Sequence, residues 1–177
     1  MPHRTTAELE QGLDQISQSP TDEGRLELIV RRPIKGKREV LMEGELTFAE
    51  GLAGDCWKDH SPHPDMQINI MNARAIGVIA PSRTEWALAG DQLFVDLDLS
   101  ASNLPPGTRL EVGSAIVEIT APPHTGCSKF AARFGVDAVK FVNSPRGRSL
   151  NLRGLNARVV KPGVVRNGDK VVKIRLS

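Results

Sequence analysis

From Arg25 to Arg32 apolar and polar residues alternate, with Leu26, Leu28 and Val30 on one face, and a period of two predicts a strand. Ahead of it, Thr6 to Ser17 places Ala7, Leu9, Leu13 and Ile16 at roughly helical spacing behind a capping Thr5 or Thr6. This predicts a loosely attached N-terminal helix. Glu39 to Phe48 reads as a second extended stretch, and Met66 to Met71 as a short strand. Asn72 then caps an apolar helix that runs to about Ala80 and stops at Pro81. Gln92 to Val95, Arg109 to Val112 and Ser114 to Thr120 are predicted strands, with Pro105-Pro106-Gly107 and Gly113 supplying turns. A short helix follows Cys127 and ends at Gly135; Asp137 caps another through Phe141. Leu155 to Val160 and Lys170 to Leu176 close the chain as strands, joined through Pro162-Gly163 and Asn167-Gly168-Asp169.

Many short strands at close spacing predict a mainly β fold with a few short helices, built as a closed or nearly closed β-barrel. Leu28, Val30, Ile116, Ile119, Val159 and Ile174 are expected in one core. The division expected is a helical arm over 1–24 and a barrel domain over 25–177. A chain of 177 residues suits one such domain.

Composition narrows the partners. The formal net charge is +2, and no run of Lys or Arg exceeds two residues, which argues against nucleic acid. The chain has no Tyr, two Trp and five Phe, too few for a base-stacking platform. No apolar run approaches a membrane span, and Met1 to Gln18 lacks an apolar leader core. The expected setting is the cytosol, where Cys56 and Cys127 are free thiols rather than a disulfide.

Candidate chemistry concentrates around Cys127, within Pro122-Pro123-His124-Thr125-Gly126-Cys127-Ser128-Lys129-Phe130. The prolines end the preceding strand, and Gly126 admits a tight turn. The sulfur then falls at a helix start, with Lys129 and Arg133 close in sequence. Dipole and cations both favour thiolate, a nucleophile and a soft metal ligand. The competing reading is a small buried hydrophobe. His124 either donates protons to chemistry at Cys127 or bonds the backbone at the proline turn. A second group, Cys56, His60 and His63 with Asp55, Asp59 and Asp65 nearby, has the form C-x3-H-x2-H. It reads either as a set of zinc ligands or, with Ser61, Pro62 and Pro64 breaking regular structure, as a polar loop on a cleft rim. Asp55 either orients a ligand or caps a turn.

The order of motifs resembles a known family. Gly51-Leu52-Ala53-Gly54-Asp55, Asp65-Met66-Gln67-Ile68, Gly90-Asp91-Gln92-Leu93, Leu104 to Gly113, the cysteine segment, Leu152 to Val159 and Gly163 to Lys173 resemble the MOSC domain. That domain is named for the C-terminal part of eukaryotic molybdenum cofactor sulfurases. The likeness covers Leu26 to Leu176 and is nearest the small stand-alone bacterial members. It implies a barrel of the MOSC type and a molybdenum cofactor (molybdopterin) with Cys127 as metal ligand. The implied activity is reduction of N-hydroxylated or N-oxide small molecules; the alternative is a sulfur carrier with a Cys127 persulfide, or a protein that delivers cofactor. The cofactor's phosphate calls for fixed cations and amides. Arg153 beside Gly154 is the first candidate, followed by Arg148 and Lys129; outside that context Arg153 reads as a surface arginine or a barrel-rim ion pair. Too few residues precede Arg25 for the extra N-terminal domain of cytochrome-linked members, so a separate electron- or sulfur-donor protein is expected. No lysine is identified for pyridoxal phosphate, and that cofactor is not expected.

Overall fold

The computed structural model describes residues 3–60 and 62–175. Among these the strands are β1 (Glu23–Arg31), β2 (Glu39–Leu41), β3 (Glu43–Thr47), β4 (Gly51–Leu52), β5 (Ile68–Asn72), β6 (Leu93–Asp96), β7 (Arg109–Val112), β8 (Ala115–Ile119), β9 (Leu155–Lys161), β10 (Gly163–Arg166) and β11 (Lys170–Ile174). The helices are α1 (Thr6–Glu10), α2 (Leu13–Ser17), α3 (Ala73–Ile79), α4 (Ser128–Phe134), α5 (Val136–Asn143) and α6 (Pro145–Ser149). The last strand was expected to run to Leu176, which lies outside the described residues.

Seven strands close a barrel in the order β1, β6, β5, β9, β8, β7, β11, with β11 returning to pair with β1. Closure leaves these strands no open edge. All neighbours are antiparallel except β5 and β6, which run parallel and are joined across α3. β2 hangs on β1, and β10, β3 and β4 form a separate small sheet.

The expected single core is two cores, because β1 carries a bulge. Its pairing with β6 slips between Leu26 and Leu28. One inserted residue reverses the side-chain alternation. Leu26 and Ile29 therefore fill the barrel with Ile119 and Val159, whereas Leu28 and Val30 pack outside it, under the helices. Ile116 and Ile174 are only half-buried; Val117 and Val171 occupy the interior positions beside them. The apolar runs of β5 and β6 reflect burial on both faces: Ile70 and Leu93 face the barrel, while Met71 and Phe94 face the helical layer with Phe130, Phe134 and Phe141.

The N-terminal segment is likewise not loose. Thr5 and Glu8 form a capping box, but the helix breaks into α1 and α2 at Gly12, where a Cβ would strike Val78 of α3. Leu9 is fully buried and Ile16 nearly so. Thr6 N–H donates to the Asp137 carboxylate at 3.1 Å. Asp137 therefore lies in the first turn of α5 and serves α1, and Gly135 holds the cap position expected of it. No helix among the described residues is long and apolar enough to cross a membrane.

Candidate functional site

Between the barrel and α4 lies a cavity of about 630 Å³. Its walls come from Asn69 of β5 and five further stretches distant in sequence. The five are the loop after β1, the Cys56–Met66 loop, Ala89-Gly90 before β6, the segment from His124 into α4, and Arg153 before β9. Six cations line it: Arg32, Lys35, Arg38, Lys129, Arg133 and Arg153. Among the described residues no carboxylate lines it. Such a wall favours an anionic ligand, since fixed cations with low-dielectric backing concentrate field in the cleft.

The carboxylates sit one layer behind. Asp91 is fully buried and accepts from Arg153 Nη1 at 2.6 Å. Arg153 also donates from Nη2 to the Ala89 carbonyl at 3.0 Å, and its guanidinium lies 4.8 Å from the Phe130 ring centre. Its Nε is buried and has no partner in the protein. Of the two readings of Arg153, the ion pair is present, yet it is buried at the cavity wall rather than surface-exposed. Asp55 does the same for Arg32, with Oδ1 to Nη2 at 2.7 Å and Oδ2 to Nε at 3.0 Å. It also caps the short helical turn at Cys56–Asp59 by accepting from Trp57 N–H. Asp55 is thus a turn cap and an arginine holder, buried behind the wall.

Cys127 is the N-cap of α4, as the sequence suggests, and is exposed at the cavity. Gly126 has a different job from the one expected. Its backbone does not need a positive φ; instead a Cβ would meet Val142 at 2.8 Å and the Asn143 side chain beyond it. Asn143 then clamps the loop, accepting from Gly126 N–H and donating to Gly126 C=O, both at 2.9 Å. On the other side Asn156, fully buried, donates to Pro122 C=O at 2.9 Å. The thiol is thereby held between two anchors. Burial raises its pKa, but the amides of Phe130 and Lys129 and the charges of Arg153 and Lys129 outweigh it, so the thiol lies below its ordinary value. Iodoacetamide is expected to modify Cys127 well before buried Cys56, with a rate that saturates at lower pH than a free thiol's. Peptide mass spectrometry reads both sites, and modification of Cys56 first would contradict the placement.

His124 lies with Nδ1 3.4 Å from Asp91 Oδ1, a distance at which neither atom has a well-formed hydrogen bond. Burial pushes its pKa down from 6.5 to about 4; Asp91 opposes this, while Arg153 and Arg32 add to it. The folded protein therefore resists a proton that the unfolded chain accepts. Stability present above pH 6.5 should be lost as pH falls towards about 4, a change on the order of 3 kcal/mol. Urea unfolding of the parent and of His124→Gln across that range tests this, since the variant should lose less; parallel profiles would contradict it.

The other expected residues separate. Lys129 lines the cavity. Arg148 is exposed on α6 and does not. Gly154 has φ +109°, and a Cβ there would run into the Ile70 carbonyl, so its role is close packing behind Asp91. Cys56, His60 and His63 all border the cavity, which fits the cleft-rim reading. Among the described residues no three His, Cys, Asp or Glu side chains gather as a metal site. Sequence reasoning missed Asp91, Arg32, Arg38, Asn143 and Asn156. Gly90-Asp91 stood among the motifs but read as a turn.

The protein is thus a seven-stranded closed barrel with a cation-walled cavity and the exposed thiol of Cys127 at its edge. The chain belongs to the MOSC domain family, whose model matches residues 54–172. No curated protein sequence matches it. Among solved structures, YuaD from Bacillus subtilis superposes with a TM-score of 0.60 at 16% identity, over 87% of this chain and 97% of that one. YiiM from Escherichia coli gives 0.58 at 20% identity, over 86% and 71%. YiiM from Geobacillus stearothermophilus gives 0.53 at 15% identity, over 86% and 73%. At such identities the likeness concerns the fold.

Proposed function

We propose that this cavity binds the molybdenum cofactor and that the protein reduces N-hydroxylated or N-oxide small molecules. The observation that carries the reading is the meeting of Cys127 and six cations in one cavity with no lining carboxylate among the described residues. The residues fit the group. A thiol biased towards thiolate is a soft donor suited to molybdenum. The buried Nε of Arg153, without a protein partner, and the Lys129 ammonium suit the anionic end of a pterin. The cavity volume is in the range that encloses a small organic ligand.

Cys127 Sγ would ligate the metal, and Arg153, held by Asp91, would orient the cofactor through its free N–H. Such a cofactor supplies two-electron exchange of an oxygen atom. Reduction of an N-oxide to the amine and water takes two protons, and His124, on the cavity wall, would relay one of them. Burial keeps that imidazole neutral, so it would hold the proton only in passing. Electrons would come from a separate donor protein. The exposure of Cys127 also supports a second reading, in which it carries sulfur as a persulfide for delivery elsewhere.

Turnover separates the two. Protein from a host that makes the cofactor should reduce an aromatic N-oxide or hydroxylamine with a reduced viologen as donor, and protein from a host that cannot make it should not. Cyanide-labile sulfur on Cys127 without turnover would replace this reading with the carrier.

A further inference from the structure

Three arginines surround Gly90, and among the described residues two of them have no carboxylate. Arg32 Nη1 donates to the Gly90 carbonyl at 3.1 Å and is neutralised by Asp55. A Cβ on Gly90, which has φ +87°, would lie 3.3 Å from Arg38 Nη2 and 3.8 Å from Arg133 Nη1, so both guanidiniums abut the same glycine. Arg38 donates from Nη1 only to the neighbouring Lys37 carbonyl, and its Nε is buried with no partner in the protein. Arg133 donates from Nη1 to the Leu88 carbonyl at 2.6 Å. Among the described residues neither has a carboxylate within ion-pair reach. Burial, then the charges of Arg133 and Arg32, lower the pKa of Arg38. Two like charges close together, one with a buried unpartnered Nε–H, repel each other, and an oxyanion bound to both would relieve that repulsion.

We infer that Arg38 and Arg133 form a phosphate-binding subsite that anchors an anionic substrate, so that the preferred substrates carry a phosphate as well as the reducible group. Assigning this anion to the substrate rests on the reading above, in which Arg153 and Lys129 hold the cofactor. Both sets of cations border one cavity, so a ligand on Arg38 and Arg133 shares the space that Cys127 faces. Two neighbouring guanidiniums match the two negative charges of a phosphate monoester, and their forked donors suit its tetrahedral oxygens. In the sequence, Arg133 stood out only as a cation near Cys127, and Arg38 not at all.

Titration of the full-length, cofactor-free protein with inorganic phosphate, followed by nuclear magnetic resonance, tests the subsite. The Gly90 amide and the Arg38 Nε–H should shift and saturate. Arg38→Met (read on Gly90 alone) and Arg133→Met should each raise the phosphate needed by about tenfold, the loss of one charged hydrogen-bonding partner. Arg148→Met, on an exposed arginine away from the cavity, should titrate like the parent. Without phosphate, Arg38→Met should melt no lower than the parent, because an uncompensated charge has been removed. No saturable shift at Gly90 in the parent, or unchanged titrations in both variants, would overturn the subsite. The same variants made in a cofactor-competent host should keep the parent's pterin content; its loss would assign these arginines to the cofactor and overturn the substrate anchor. A parent without any pterin would instead refute the cofactor reading, and the phosphate titration would still decide the subsite.

Discussion

Asp91→Ala should destabilise the protein by about 3–5 kcal/mol, the range for stripping one partner from a buried ion pair. Arg153, whose side chain is only 8% exposed, would keep the Ala89 carbonyl and the Phe130 face but lose its counter-charge. The loss should be specific to the pair. Asp91→Ala combined with Arg153→Met should recover much of it, because neither charge is then left alone in the interior. Chemical unfolding of the parent, both single variants and the double variant gives the coupling. Asp91→Ala unfolding within about 0.5 kcal/mol of the parent, the range of an ordinary surface substitution, would contradict the placement.

Cys127→Ser should behave in the opposite way, with little effect on the fold and a large one on function. The side chain is exposed and nearly unchanged in size. Asn143 and Asn156 fix the loop through backbone groups that the substitution leaves alone. What disappears is a soft anionic donor, replaced by a neutral hydroxyl. Bound molybdenum should fall to background while the melting temperature holds. Arg153→Ala mixes the two effects: it weakens the grip on an anion and leaves Asp91 bare. Excess cofactor should therefore restore it only in part, and its melting temperature should drop. A Cys127→Ser protein that keeps both metal and turnover would remove the sulfur from the proposed chemistry.

The barrel was legible because its strands are short, several alternate, and Pro and Gly turns separate them. The β1 bulge was not: nothing in Leu26-Glu27-Leu28-Ile29 marks where the alternation slips, and the slip becomes visible only against β6. The same limit applies to the N-terminal segment. Thr5 and Glu8 announce the cap, but the contact of Gly12 with Val78 and the bond from Thr6 to Asp137 are long-range and have no local sign. Around the site, Cys127 stood out through its neighbours, since the helix start and Gly126 are adjacent in sequence. The arginines were ranked, Arg153 ahead of Arg148, only through the family resemblance. Arg148 and Arg153 lie five positions apart in one Arg-rich stretch, yet one is on the outside of α6 and the other is buried against Asp91 from a strand's edge. Local sequence cannot sort them, because what distinguishes them is the carboxylate that waits sixty-two positions away.

The central claim is that Cys127 and the cation-walled cavity together hold a molybdenum cofactor. The most direct test is the ratio of molybdenum to protein, by inductively coupled plasma mass spectrometry, for the parent and Cys127→Ser purified side by side from a cofactor-competent host. Near-stoichiometric metal is expected in the parent and background in the variant; background in both, or equal metal in both, would contradict that claim.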